Sequence, residues 1–135
     1  MTAKEFLGRA RRIDRRVEET RERLARTRSQ LEGRVSRLSG APGGRRRWDD
    51  RADDMIDLEA RLEEQLREMC GVKLEVMDAI GRVKDPVCRE VLELYYLDGL
   101  SWAQVADRMH YSVRNVQILH GKALLFVEFH GSNGV

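Results

Sequence analysis

Three features of this 135-residue sequence predict an all-α protein, in which a long, coiled-coil-like antiparallel helical hairpin precedes a three-helix domain. Apolar residues recur every seven positions along residues 3–38 and again along 48–83, the spacing of helices that pack side by side. A Gly-rich loop at residues 39–47 separates these stretches. Beyond them the predicted helices are short, and each begins with a capping residue. We expect two domains, residues 1–84 and 85–135.

The predicted first helix, residues 3–38, contains no proline and carries a row of apolar or small side chains. A second row begins with Phe6 and Ile13 and ends with Arg34, so the seam becomes polar toward the loop. Arg45, Arg46 and Arg47 follow in that loop. The first row consists of Ala3, Ala10, Val17, Leu24, Leu31 and Leu38.

The predicted second helix runs from about Trp48 to Val83. Four aspartates crowd its first turns, where the helix dipole favours negative charge. If the helices form an antiparallel pair, the numbers of facing residues sum to about 87. The expected neighbours are Phe6 with Ile80, Ile13 with Leu74, and Arg34 with Asp53. The apolar stripe comprises Met55, Leu58, Leu62, Leu66, Met69, Val72, Val76, Ile80 and Val83. The same repeats could instead join separate chains, in a dimer or a higher oligomer.

Charge is distributed unevenly along the chain. Residues 1–47 hold 15 Lys or Arg and 6 Asp or Glu, residues 48–98 hold 7 and 15, and residues 99–135 hold 3 and 2. The three segments therefore have net charges of +9, −8 and +1, which add up to the overall +2. Such asymmetry requires faces or partners of opposite charge.

Several classes of protein are excluded by composition. No apolar run approaches the ~20 residues that a membrane span needs, and the start of the chain lacks a secretory signal. Cys70 and Cys88 form no paired framework, so we expect a reduced, cytoplasmic protein. The sequence contains no nucleotide-binding or catalytic motif, so an enzyme is not predicted, and neither is a cofactor. His110, His120 and His130 lie ten apart, which gives no metal site.

The C-terminal segment has the pattern of a helix-turn-helix. A helix opens at Asp85-Pro86 and stops near Gly99, and Ser101 to Gln104 form a capping box that opens the next helix. Residues 110–112 interrupt the pattern, and Ser112 caps a third helix that continues to about Phe129. With Ala106 at the crossing of the two helices, apolar or aromatic residues fill the motif positions Val105, Met109, Tyr111, Val116 and Leu119. The turn position, which needs a positive φ and is usually glycine, is His110, one of the better tolerated alternatives. Three ordinary core helices without nucleic acid remain the alternative.

The C-terminal domain resembles region four of bacterial sigma factors in Val91-Leu-Glu-Leu-Tyr-Tyr96, in Leu100-Ser-Trp-Ala-Gln-Val-Ala106 and in residues 116–124. This resemblance implies a module that reads the −35 promoter element and docks on the flap of RNA polymerase. Nearly the whole chain also resembles a phage family of small sigma-like regulators, akin to the ArpU and RinA late-gene activators. That likeness rests on the Met1-Thr-Ala-Lys-Glu5 start and on the ending from Tyr111 to Leu124.

The predicted DNA-contacting face follows from helical periodicity. If Val116 and Ala123 point inward, the N-terminal part of the third helix presents Arg114, Gln117 and Ile118 outward. Arg114 can donate two hydrogen bonds to guanine, Gln117 can pair with adenine, and Ile118 can touch a thymine methyl group. The predicted contacts to bases and phosphates are Ser101, Trp102, Gln104, Ser112, Val113, Arg114, Asn115, Gln117, Ile118, Gly121 and Lys122. Plain solvent exposure is the alternative for Asn115 and Gln117, and a protein interface is the alternative for Ile118 and Leu125.

A segment of net charge +1 can make few phosphate contacts, although such contacts supply most non-specific affinity for DNA. Charge could come from Arg9, Arg11, Arg12, Arg15 and Arg16 of the first helix. We favour a homodimer that doubles the contacts, together with RNA polymerase holding the protein on the promoter. The apolar tail from Leu124 to Phe129 fits either a partner surface or packing on the hairpin.

These features predict a sequence-specific, DNA-binding transcription regulator that acts on double-stranded DNA with bacterial RNA polymerase. Two alternatives remain. One is a small-terminase-like DNA-packaging adaptor, which also joins a helix-turn-helix to oligomerising helices. The other is a polymerase-binding protein that never touches DNA, which the weak charge of the C-terminal segment keeps open.

Overall fold

The protein is an all-α structure in the part of the chain that the computed structural model describes, which is the backbone of residues 1–35 and 44–129 with the side chains of 1–33 and 50–129. No strand occurs in these ranges, so the predicted fold class is confirmed. A π-helical turn, Glu93–Leu97, continues the third helix. The α-helices are α1 Ala3–Val35, α2 Gly44–Gly81, α3 Pro86–Leu92, α4 Trp102–Met109 and α5 Val113–Leu124.

The start of α2 differs from the prediction. The helix begins at Gly44 instead of near Trp48, so the three arginines at 45–47 belong to a helix and not to a loop. Arginine has high helix propensity, which outweighs the glycine that precedes the run. Three predictions fall outside the residues that the structure describes. They are the pairing of the Arg34 side chain with Asp53, the place of Leu38 in the first seam, and the loop at residues 39–43.

The described chain divides into two compact units, of which Arg15–Glu68 is the smaller. Within it α1 and α2 run antiparallel, because Thr20 Oγ1 donates to Gln65 Oε1 at 2.7 Å and Arg16 Nη1 lies 3.9 Å from Glu68 Oε2. Buried residues of α1 in this unit are Val17, Thr20, Leu24 and Leu31. They fall on the two predicted rows.

The larger unit combines Met1–Asp14 with the chain from Met69 onward. The Lys73 Nζ atom lies 2.9 Å from Asp14 Oδ1, a pair whose numbers fit the predicted antiparallel register. Leu74, the expected neighbour of Ile13, is 65% exposed and therefore lies off the buried face of α2. The buried face consists of Val72, Val76, Ala79 and Ile80, with Val83 just beyond the helix, and four of these five belong to the predicted apolar stripe. The predicted domain boundary between residues 84 and 85 stays a prediction.

The short helices follow from their capping residues. Asp85 caps α3, since its Oδ1 accepts hydrogen bonds from the backbone N–H groups of Val87 (2.9 Å) and Cys88 (3.3 Å). Both bonds hold the pKa of the Asp85 carboxyl below its usual value, and the bond from Cys88 has the larger effect. Pro86 occupies the first helical position, where its missing N–H costs nothing.

No helix in residues 1–35 or 44–129 is long and apolar enough to cross a membrane.

Candidate nucleic-acid interface

The helix-turn-helix consists of α4, a three-residue turn and α5. Ser101 and Gln104 form the predicted capping box, in which Ser101 Oγ accepts from the Gln104 N–H at 3.2 Å and Gln104 Oε1 accepts from the Ser101 N–H at 2.9 Å. Ser112 caps α5, since its Oγ accepts from the Asn115 N–H at 3.0 Å. The local signals in the sequence therefore define where both helices begin.

His110 makes the turn between the two helices. Its φ of 60° and ψ of 39° place it in the left-handed region, as the sequence predicts, and it is the single non-glycine residue of positive φ in the described ranges. The chain then reverses, because the Tyr111 N–H donates to the Ala106 carbonyl at 3.0 Å.

An apolar core fixes the angle between α4 and α5. Five buried residues form this core, and Tyr95, Leu100, Trp102, Met109 and Leu119 pack around it. Tyr111, which the motif places among its apolar positions, is 42% exposed, since the turn directs its side chain toward solvent. The core residues are Val91, Leu94, Val105, Ala106 and Val116.

The outer face of α5 is open. Arg114 and Gln117 are exposed, and the structure shows neither of them in a hydrogen bond or ion pair with another described residue. Ile118 is 61% exposed and Val113 is 41% exposed. Space is free beside Gly121, where an added Cβ would meet no atom within 4 Å. Ser112, Asn115 and Lys122 are exposed as well.

The predicted residues at the start of α4 have different surroundings. Ser101 and Gln104 are exposed but bond to each other's backbone N–H groups. Trp102 is half-buried, and its ring stacks on Tyr95 with 3.8 Å between centroids and 8° between planes. Any contact of Trp102 with DNA therefore involves the edge that remains outside this stack.

A buried aromatic cluster lies behind the helix-turn-helix, and the sequence did not predict it. Tyr96 Oη lies 2.6 Å from His120 Nε2, and the Trp102 ring meets the His120 ring at 4.7 Å between centroids. Burial, aided by the charge of Lys4, lowers the pKa of His120 to about 4, and burial also raises the pKa of Tyr96. One feature of the sequence could have indicated that His120 is buried. It lies four residues after Val116 and four before Leu124 on α5, which places it beside the inward face.

Arginines of α1 are only partly available as a source of charge. Arg9 Nη1 pairs with Glu75 Oε2 at 3.0 Å, and Arg16 pairs with Glu68. Arg11 is engaged by backbone carbonyls of the C-terminal segment. Arg12 is exposed and donates to the Glu5 carbonyl of its own helix at 3.1 Å, and Arg15 is exposed. Two of the five arginines proposed to lend charge to DNA binding thus pair with carboxylates, and Arg11 and Arg12 bond to backbone carbonyls.

Some residues of the tail after α5 pack on the rest of the protein, and others are exposed to solvent. The helix ends at Leu124 and not near Phe129, because tight turns follow in which the Phe126 N–H donates to the Ala123 carbonyl at 3.0 Å. Phe129 then stacks on Phe6 of α1, with 4.6 Å between ring centroids and 16° between planes. Leu125 is 83% exposed and Phe126 is 49% exposed. Packing on the hairpin therefore accounts for only part of this apolar segment.

Within residues 1–33 and 50–129, no three His, Cys, Asp or Glu side chains gather as a candidate metal site. Cys88 is buried, which raises the pKa of its thiol, and Cys70 is exposed.

Comparison with known protein families connects this geometry to transcription. Residues 85–127 match the family model described as Sigma-70, region 4, a span that contains α3, the π-helical turn, α4 and α5. Comparisons with curated proteins and with solved structures found no match. The segment is a sigma-region-4-like helix-turn-helix, a DNA-binding and non-catalytic type of domain, and its match indicates a role related to DNA binding and transcription.

Proposed function

We propose that the protein is a sequence-specific, DNA-binding transcription regulator of phage or prophage origin that acts at a promoter, in the bacterial cytoplasm, together with RNA polymerase. The observation that carries this proposal is the open face of α5. Arg114 and Gln117 lie near the N-terminus of the second helix of a helix-turn-helix, where recognition helices contact bases, and neither is engaged within the described chain.

Each residue of that face has a distinct role. Arg114 donates two parallel hydrogen bonds to a guanine, and Gln117 exchanges two with an adenine. Lys122 and the N-terminal end of α4 contact phosphates and set the register of the protein on the duplex. The open space beside Gly121 allows the helix backbone to approach the groove closely.

RNA polymerase is the protein partner that this proposal requires. The match to sigma region 4 supports it, as do the exposed Leu125 and Phe126, which lie at the end of α5 and immediately beyond it. The same apolar residues favour a second candidate function, a polymerase-binding protein that does not itself bind DNA. DNA binding by the purified protein at low salt separates the two candidates, because the second predicts none.

A homodimer is part of the proposal. The weak net charge of residues 99–135 supports it, since two copies double the phosphate contacts. On α2, Leu74 and Met77 are 65% and 53% exposed, which gives an apolar face that a second copy can cover. Sedimentation measures the mass in solution, and a large ring would favour DNA packaging instead.

The test of the proposed function is selection of bound duplexes from a random pool, followed by footprinting on the selected site. Arg114→Ala should weaken binding to that site by about tenfold to a hundredfold and relax the base preference at one position. Arg108→Ala is the matched control, because it removes one exposed positive charge from the same helix-turn-helix without touching the open face of α5. Equal losses in both variants, or no selected sequence at all, would contradict base recognition by α5.

A further inference from the structure

Arg11 of α1 has a different environment from the other arginines of that helix in the larger unit. Its Nη1 atom donates to the Tyr95 carbonyl at 2.7 Å and to the Leu100 carbonyl at 3.0 Å. The carbon of its guanidinium group lies 3.9 Å from the centre of the Tyr95 ring. By contrast, Arg9 pairs with a carboxylate on α2, and Arg12 donates to a carbonyl of its own helix. Of these three arginines, only Arg11 bonds to the segment that leads into α4.

The two carbonyls that Arg11 binds lie at either side of an irregular helix end. The π-helical turn closes with bonds from the Asp98 N–H to the Glu93 carbonyl and from the Leu100 N–H to the Leu94 carbonyl. The Tyr95 carbonyl belongs to the last turn, where carbonyl groups lack helical partners and carry partial negative charge. The Leu100 carbonyl directly precedes Ser101, the capping residue of α4. One cation therefore fixes the end of one helix to the beginning of the next.

The Tyr95 ring extends this connection into the helix-turn-helix. Arg11 and Trp102 lie within 4 Å of the Tyr95 ring centre, and the Trp102 ring is nearly parallel to it, so the two groups occupy opposite faces of that ring. Trp102 begins α4 and meets His120 of α5 edge to face. His120 in turn shares a hydrogen bond with Tyr96. The series Arg11, Tyr95, Trp102, His120 thus runs from α1 through both helices of the motif.

We propose that Arg11 is a positioning residue of the DNA-binding module, which holds the turn before α4 and so sets the presentation of α4 and α5 to the duplex without contacting DNA. This inference rests on the proposed function. It adds a residue of the long N-terminal helix to a module whose family match begins only at residue 85.

Lysine cannot replace Arg11 in this role. The planar guanidinium group stacks on a ring while its N–H groups reach two acceptors, whereas an ammonium group is a compact charge on a flexible stem. Arg11→Lys therefore keeps the charge and loses the geometry, and Arg11→Ala loses both. Arg12→Ala is the matched control, because it removes the same charge from the next position, where the side chain bonds only its own helix.

The experiment measures two quantities in a Trp48→Phe background, in which Trp102 is the single tryptophan. The first is the emission of Trp102, which reports on the stack with Tyr95. The second is affinity for the selected duplex as a function of salt, measured well below each variant's melting temperature. We expect Arg11→Lys and Arg11→Ala to change the emission and to weaken binding by about tenfold, which corresponds to the loss of about one charge-assisted hydrogen bond. The salt slope should stay at its wild-type value, and Arg12→Ala should keep the wild-type emission.

Three outcomes would overturn the inference: wild-type affinity in both Arg11 variants, an unchanged Trp102 emission in both, or a salt slope that falls by about one in Arg11→Ala and is restored in Arg11→Lys, which would identify a direct phosphate contact. If Arg11→Ala fails to fold, Arg11→Lys decides. A wild-type protein that selects no duplex contradicts the proposed function, and with it the role of Arg11 in DNA binding. In that case the Trp102 emission of the Arg11 variants still shows whether Arg11 supports the stack of Tyr95 and Trp102.

Discussion

Stability at mildly acidic pH should depend on His120, whose imidazole is buried at 9% exposure with its Nε2 bonded to the Tyr96 hydroxyl. Its pKa falls from 6.5 to about 4 on folding. Above pH 6.5 both states hold the neutral ring, whereas between pH 6.5 and pH 4 only the unfolded chain takes up the proton. The contribution of His120 is therefore present at neutral pH and is lost as pH falls through this window.

The size of the effect follows from the two pKa values. Each pKa unit corresponds to about 1.4 kcal/mol, so the free energy of unfolding should fall by about 2 kcal/mol between about pH 7 and about pH 5. Asp85 does not confound this range, because its lowered pKa means that its contribution is lost only below its ordinary value of 3.8.

Urea denaturation, followed by helical circular dichroism at about pH 7 and about pH 5, measures this loss. His120→Gln keeps a hydrogen-bond acceptor for Tyr96 without a titrating ring, so about 2 kcal/mol of the pH dependence should disappear. His110→Asn is the matched control, because it removes an exposed histidine and keeps a residue that tolerates positive φ. An identical pH dependence in wild type and His120→Gln would contradict a buried, neutral His120 as its source.

Three further predictions concern stability, with denaturant titration as the measurement. Val116→Ala should lower the free energy of unfolding by about 2 kcal/mol, because Val116 is fully buried, whereas the partly exposed Val113→Ala on the same helix should cost less than about 0.5 kcal/mol; equal costs would contradict the assigned core. His110→Val should cost about 1–2 kcal/mol, since a β-branched residue is strained at φ 60°, and a neutral result would argue against the left-handed turn. Lys73→Met should cost about 1 kcal/mol, because Lys73 bridges Asp14 and the Leu97 carbonyl. Arg82→Ala, which breaks an exposed pair between Asp78 of α2 and the residue just after that helix, should cost less than about 0.5 kcal/mol. The reverse order would contradict this assignment.

Much of the helix-turn-helix could be predicted because its signals are local. The capping box at Ser101 and Gln104, the cap at Ser112 and the tolerance of histidine for positive φ each act within a few residues. Helical periodicity then placed Val116 and Ala123 inward and Arg114 outward. The prediction of which residues face each other across the two long helices was less accurate. The register of α1 and α2 agrees with Asp14 and Lys73, yet Leu74 is exposed, because the register gives the height of a residue along the pair and not the side of the helix on which it lies.

The helices of the C-terminal segment, their caps and the outward face of α5 follow from local sequence, since each depends on neighbours within one or two turns. The contacts of Arg11, Trp102 and His120 depend instead on how distant segments pack together. Arg11 and Tyr95 are 84 positions apart, and no spacing rule predicts that a guanidinium group will meet two carbonyls and an aromatic ring across that distance. Partial burial of Trp102 and the lowered pKa of His120 likewise depend on packing between helices, which sets solvent access and follows from the whole fold.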